Sequence, residues 1–245
     1  MNAFTSKTNP RFDPSQRQDK TKTLVIANSN VRQPDSFSLI ERKMAVRLSV
    51  KRLIDIVASL SALIVLAPLF LVIALFIKLD DGGPVFFRQI RWGLNGRKIT
   101  VFKFRSMRAE ACDPSGIQQT VKGDSRVTGV GALLRKTNID ELPQLFNVLR
   151  GEMSLVGPRC HAINMRAAGR LYEELVPDYH HRHIMRPGIT GLAQTRGWRG
   201  PTARSLEARA RIACDIYYVR NFSLLLDLKI LFKTVVIELR GGTGF

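Results

Sequence analysis

Hydrophobic and polar positions divide the chain into stretches of different period. Residues 1 to about 40 are rich in Ser, Thr, Asn, Gln, Pro and mixed charge, with no sustained apolar period beyond Leu24-Val25-Ile26-Ala27, and a mobile tail is expected over residues 1–45. Residues 56–77 then run for 22 positions without a charge, against about 20 needed to cross the hydrocarbon core of a bilayer. Pro68 stands near the middle of this run, where it removes a backbone hydrogen bond and clashes with the carbonyl four residues earlier. A bent helix is expected, one that either crosses or turns back. Basic residues flank both sides: Arg42, Lys43, Arg47, Lys51 and Arg52 before the run, Lys78, Arg88, Arg91, Arg97 and Lys98 after it. Placing both ends on the cytoplasmic face satisfies the positive-inside tendency better than a crossing does. The polar extreme N-terminus, and an apolar run that is late and long, do not read as a secretory signal.

Residues 84–104 alternate aromatic, β-branched and basic side chains around Gly93-Leu94-Asn95-Gly96, the pattern of a short β-hairpin carrying Arg88, Arg91, Lys103 and Arg105. Near the C-terminus, residues 224–240 turned at 100° per residue gather Leu224, Leu225, Leu228, Leu231, Phe232, Val235, Val236 and Leu239 on one arc. Lys229, Lys233 and Arg240 lie along its edge, with Asp227 and Glu238 elsewhere. Such a helix lies in a membrane interface or packs on a protein core; the 56–77 segment favours the interface.

Composition adds a partner class. Lys and Arg number 38 against 20 Asp and Glu, a net charge of +18, which implies nucleic acid, an anionic lipid surface or a phosphorylated substrate. Basic-aromatic nucleic-acid motifs are absent, so no nucleic-acid partner is expected. A hydrophobic fraction of 45 % in 245 residues allows one substantial core. Cys112, Cys160 and Cys214 are odd in number and lack C-x-x-C spacing, and read as reduced thiols facing the cytosol. His180, His181 and His183 are not spaced to converge on a metal and read as surface or interface residues.

The chemistry centres on Thr137-Asn138-Ile139-Asp140-Glu141-Leu142-Pro143-Gln144. Pro143 is tolerated only in a first turn, so a helix is expected to start near Asp140, whose carboxylate would sit among unsatisfied backbone donors. Taken alone, Asp140 could be an N-cap and Glu141 a first-turn residue that suits the dipole. Arg135 upstream and Gly157-Pro158-Arg159 downstream change that reading. A carboxylate approaching a diphosphate meets like-charge repulsion, which guanidinium groups and a divalent ion relieve.

The ordered motifs Lys51-Arg52-Leu53-Ile54-Asp55, Gly83-Pro84-Val85-Phe86-Phe87-Arg88-Gln89, Phe102-Lys103-Phe104-Arg105-Ser106-Met107, Asp140-Glu141-Leu142-Pro143-Gln144, Gly151-Glu152-Met153-Ser154-Leu155-Val156-Gly157-Pro158-Arg159, Arg186-Pro187-Gly188-Ile189-Thr190-Gly191 and Tyr217-Tyr218-Val219-Arg220-Asn221 resemble the bacterial sugar transferase family over about residues 47–245. These are monotopic polyprenyl-phosphate hexose-1-phosphate transferases that begin exopolysaccharide, capsule and O-antigen repeats. The resemblance implies a mainly α monotopic membrane protein at the cytoplasmic face of a bacterial inner membrane. It would have a re-entrant helix over residues 46–80 broken at Pro68, a small cytosolic catalytic domain with the hairpin over 81–221, and an interfacial helix and tail over 222–245. Family members commonly carry Ser-Pro at the break; here it is Ala67-Pro68.

By the same resemblance, a hexose 1-phosphate passes from a UDP-hexose to undecaprenyl phosphate with Mg2+. Asp140 is expected to attack the sugar-bearing phosphorus and Glu141 to serve the metal. Lys103, Arg105, Arg135, Arg159 and Arg186 are the expected phosphate or substrate contacts. Cys160 stands where the family usually has proline, which frees the turn that aims Arg159; a thiol nucleophile is set aside because only adjacent His161 could serve it as base. The segment Gln194-Thr195-Arg196-Gly197-Trp198-Arg199-Gly200-Pro201-Thr202 looks more like glucose-type than galactose-type members, so UDP-glucose is expected first, with UDP-galactose open. A noncatalytic membrane scaffold for polysaccharide export would use the same anchor and leave the acidic pair idle. Oligomeric state is not legible.

Overall fold

A computed structural model describes residues 35–112, 120 and 123–241. The segment expected as a tail lies outside the described residues up to 34, and from Asp35 onward its backbone is helical. Helix α1 (Asp35–Asp81) is followed by the hairpin β1 (Phe86–Trp92) and β2 (Lys98–Phe104), α2 (Gly129–Lys136), α3 (Gln144–Arg150), β3 (Ser154–Val156), a minimal hairpin β4 (Arg166–Ala167) and β5 (Arg170–Leu171), α4 (Tyr172–Leu175), β6 (Gly188–Thr190), α5 (Leu192–Thr195), α6 (Ser205–Arg220) and α7 (Leu224–Leu239). The chain divides at Val46, and residues 47 onward form one compact unit.

The structure is mostly helical, and the expected hairpin is present. Phe86 pairs with Phe104 and Trp92 with Lys98, closed by a tight turn in which Asn95 takes a left-handed φ of 53°. Elsewhere β3 and β6 pair in parallel, Val156 opposite Thr190. Gly157 and Gly188 permit this approach, since a Cβ on either would collide with backbone of the other segment.

Within α1, the most apolar window is 11 % buried, and Ile64, Val65 and Leu71 stand 67, 75 and 73 % exposed. A core helix of a soluble domain would cover such side chains; this one is long and apolar enough to cross a membrane, and among the described residues most of its apolar window is left uncovered. Pro68 lies inside it. Before the proline, Arg52 donates to the carbonyls of Val148 and Leu149 at 2.6 and 2.9 Å, and Asp55 accepts from Leu155 N–H at 3.0 Å. After it, Phe70 meets Phe146 edge-on with ring centroids 6.3 Å apart, and Ile73 and Ile77 pack with Phe104 and Leu134. A straight helix would hold Arg52 and Phe70 about 27 Å apart at ~1.5 Å per residue. Their partners Val148 and Phe146 share one turn of α3.

Helix α7 is amphipathic with Asp227, Thr234 and Glu238 turned inward. Asp227 is buried, Thr234 shares a 2.7 Å hydrogen bond with Thr190, and Glu238 accepts from Arg199 at 2.8 Å. Leu225, Leu228, Phe232, Val235 and Leu239 are 56–82 % exposed. The expected arc therefore splits: Leu224 and Leu231 reach the core around Tyr218, Phe222 and Ile230, Val236 is half-buried, and the five exposed residues form an apolar stripe. Lys229, Lys233 and Arg240 are exposed beside it.

One buried polar knot joins these elements. Lys51 Nζ donates to Asp227 at 2.6 Å and to the Val156 carbonyl at 2.9 Å. Tyr218 OH donates to the same carboxylate at 2.7 Å and to the same carbonyl at 3.2 Å. Removing one member of a buried pair strands the other charge, so Lys51→Ala should lower unfolding free energy by about 3–5 kcal/mol. Combining Lys51→Met with Asp227→Leu should recover most of that loss. Denaturation midpoints in detergent micelles measure both, and a double variant no more stable than Lys51→Ala contradicts the expectation.

Candidate active site

The acidic pair stands between α2 and α3. Thr128 caps α2 by accepting from Gly131 N–H at 3.0 Å. Asn138 then takes a left-handed φ of 55°, which asparagine tolerates better than most residues. Ile139–Glu141 form a 3₁₀ turn, and α3 begins only at Gln144. The helix expected to start at Asp140 therefore starts four residues later. Pro143 supplies no N–H, and the N–H groups of Glu141 and Leu142 are spent on the carbonyls of Asn138 and Ile139 at 3.2 and 3.1 Å. The field around the pair comes from side chains, not from a helix end.

Those side chains line a cavity of about 440 Å³ that includes Lys103, Arg135, Asp140, Glu141 and Arg159. Glu141 Oε1 accepts from Lys103 Nζ at 2.7 Å and from Arg159 Nη2 at 3.0 Å. Burial alone would raise the Glu141 pKa, yet Arg159 and Lys103 together hold this carboxyl well below its ordinary range. Asp140, 7 % exposed, goes the other way. Burial, with Glu141 adding to it, pushes its carboxyl up to about 6 against the pull of Lys103, Arg135 and Arg159. Two adjacent carboxylates thus acquire different characters, one firmly anionic and one titrating near neutrality, the separation that divides roles in acid-base and nucleophilic sites.

Each cation is carried by its own element. Lys103 comes from β2 and Arg135 from the last turn of α2, where its Nε donates to Ser106 Oγ at 2.8 Å. Arg159 follows β3, and its carbonyl accepts from Arg182, which in turn pairs with Asp215 at 2.8 Å, both side chains 1 % exposed. Cys160 replaces a rigid ring with hydrogen bonds: its thiol donates to the Trp92 carbonyl at 3.2 Å, and its carbonyl accepts from Arg91 at 2.6 Å. Burial raises the thiol pKa and lowers that of His161 well below the usual imidazole range. A thiol kept protonated beside a neutral imidazole is not an activated nucleophile.

Two expected contacts are not brought to the cavity. Arg105, 3 % exposed, spends its guanidinium on the Asp81 carboxylate and, at 2.6 Å, on the Pro84 carbonyl, so it clamps the end of α1 to the hairpin. Arg186 donates to the Gly151 carbonyl at 2.8 Å and ties β6 to the end of α3. Both lie in motifs, and sequence order carried no sign that their donors were already engaged. Conversely, Arg91, Arg199 and Glu238 line the cavity. The signal for Glu238 was a carboxylate off the apolar arc of a helix otherwise flanked by bases.

Residues 46–241 match the family described as Bacterial sugar transferase. The chain is 66 % identical over 198 residues to exopolysaccharide production protein PSS of Rhizobium leguminosarum bv. phaseoli, covering 81 % of this chain and 99 % of that protein. It is 51 % identical over 185 residues to UDP-glucose:undecaprenyl-phosphate glucose-1-phosphate transferase of Klebsiella pneumoniae, covering 76 % of this chain and 39 % of that one. It is also 49 % identical over 195 residues to undecaprenyl-phosphate glucose phosphotransferase of Komagataeibacter xylinus, covering 80 % and 37 %. The chain spans less than half the length of these last two relatives. With most of its length inside the family match and a relative matched end to end, the chain belongs to the bacterial sugar transferase family.

Proposed function

We propose that this protein transfers a hexose 1-phosphate, glucose 1-phosphate first, from a UDP-hexose to undecaprenyl phosphate, the opening step of an exopolysaccharide repeat. The observation that carries the reading is the split carboxylate pair walled by Lys103, Arg135 and Arg159 in one cavity. The donor follows the names of the relatives from Klebsiella and Komagataeibacter.

An ionised Asp140 oxygen attacks the phosphorus that bears the sugar, and the P–O bond to the departing UMP breaks. A phosphate oxygen of the lipid then attacks the same phosphorus, the aspartyl P–O bond breaks, and the carboxylate is restored with a polyprenyl diphosphate sugar released. Two steps spare the soluble donor and the membrane-bound acceptor from occupying the site together. Arg135 and Arg159 offer guanidinium donors to the diphosphate oxygens. Both cations on Glu141 fall on Oε1; the other oxygen suits Mg2+, which takes few protein ligands beside substrate phosphates, and Glu141 would hold it. Bound there, the ion would neutralise charge on the diphosphate.

We further propose that α1 is re-entrant about Pro68, that the protein rests on the cytoplasmic face of the inner membrane, and that α7 lies in the interface against anionic lipid. Contacts from both sides of Pro68 to neighbouring residues of α3 support the return. The uncovered stripe of α7 with exposed Lys229 and Lys233 supports the interfacial placement.

Asp140→Ala should lower UMP release from UDP-glucose by at least about a thousandfold and abolish the label trapped from donor labelled in its sugar phosphate; label retained on the variant contradicts the assignment. The donor half-reaction should gain rate as pH rises through about 6, because the nucleophile is the ionised form of Asp140. Lys103→Met removes an influence that lowers the Asp140 pKa and should move that limb to higher pH; a shift to lower pH would refute the electrostatic account. Cysteines introduced near residues 10 and 245 should label from the same side of sealed vesicles, and opposite sidedness would exclude re-entry.

A further inference from the structure

The turn that holds Asp140 is gripped by both lipid-facing helices. Ile139, the residue before the nucleophile, packs in the cluster formed by Ile73 and Ile77 of α1 with Phe104 and Leu134. On the other side Asn138 Nδ2 donates to Glu238 Oε2 at 2.9 Å, and the second oxygen of that carboxylate accepts from Arg199 at 2.8 Å. Glu238 belongs to the last turn of α7, whose outer stripe ends at Leu239, 82 % exposed. Asn138 is the left-handed residue on which the turn pivots, and its carbonyl accepts the Glu141 N–H.

We propose that Glu238 is a positioning residue for the reaction: through Asn138 it sets the placement of the Asp140 carboxylate, and it does so from the helix that rests on the lipid. The inference rests on the reading of Asp140 as nucleophile. Glu238 touches neither the dyad nor any transferred atom in this scheme. A carboxylate on an inward face is an acceptor with two oxygens, and here each has one donor from a different segment. Asparagine tolerates the left-handed region but is not confined to it, so a side-chain bond that fixes it removes alternative placements of the next two residues. Small misplacements of a nucleophile cost large factors in rate.

The test is a kinetic cycle on the full chain in lipid nanodiscs, with UDP-glucose and undecaprenyl phosphate. Glu238→Ala should lower kcat and the rate of label trapping about ten- to hundredfold, with KM for the donor changed less than about twofold. Asn138→Gly keeps the backbone free to adopt positive φ and removes only the side chain, so it should lose as much. The double variant should be no slower than either single one, since both break the same bond. Glu238→Gln keeps an acceptor and should restore most of kcat. An unchanged kcat in Glu238→Ala, a loss confined to KM, additive losses in the double variant, or Glu238→Gln as slow as alanine would each overturn the proposal. An inactive wild-type protein would instead defeat the transferase reading itself, so the two failures are distinguishable.

Discussion

Lys51 and Asp227 form the ion pair on which the rest of the arrangement depends. Removing an ammonium and a carboxylate from water costs several kcal/mol each unless their remaining hydrogen-bonding capacity is met. Here Val156 O and Tyr218 OH meet part of it. The knot joins the arm of α1 before Pro68 to α6, α7 and the end of β3. Gly157-Pro158-Arg159 follows Val156 directly, so the contact that fastens α1 and α7 to the domain also fixes the start of the loop that carries Arg159. An apolar pair of similar volume would give comparable stability.

A second buried pair, Arg182 and Asp215, acts on the same loop. Arg182 binds the Arg159 carbonyl and faces Asp215, whose carboxyl burial raises to about 6 against the pull of that arginine. Arg159 is thus held through its backbone while its guanidinium reaches Glu141. Among the cations that make up the +18 charge, those turned into the fold are therefore of two kinds. Arg105, Arg182 and Arg186 are committed to carboxylates and carbonyls inside the fold, whereas Lys103, Arg135 and Arg159 line the cavity.

That distinction marks where sequence reasoning runs out. The hairpin, the long apolar helix and the acidic pair were legible because each rests on local pattern: alternation around Gly93, a run free of charge, and two carboxylates before a proline. The helix starts at Gln144 and not near Asp140 because Asn138 in the left-handed region lets a 3₁₀ turn consume the donors that a helix end would have left open. Arg105 and Arg186 could not be sorted from Arg135 and Arg159 because their partners, Asp81 and Gly151, are distant in sequence. The inward face of α7 escaped for a related reason. A helical wheel locates Asp227 and Glu238 off the apolar arc, but only tertiary contacts reveal that the polar face meets protein and the apolar one does not.

The raised carboxyl of Asp140 fits a covalent route in a specific way. Burial penalises the free carboxylate, and Lys103, Arg135 and Arg159 recover only part of that penalty. On the proposed route, forming the aspartyl phosphodiester removes the charge from the carboxyl, and that charge leaves on the phosphate of the departing UMP. Under the proposed mechanism, the environment that makes the free carboxylate costly makes the covalent state comparatively favourable, while the ionised form still predominates above pH 6. On the same reading Glu141 is unsuited to that step, because Lys103 and Arg159 stabilise its charged form. Desolvation of one carboxylate and pairing of its neighbour thus give two adjacent acids opposite characters, which is what the proposed division of roles between them requires.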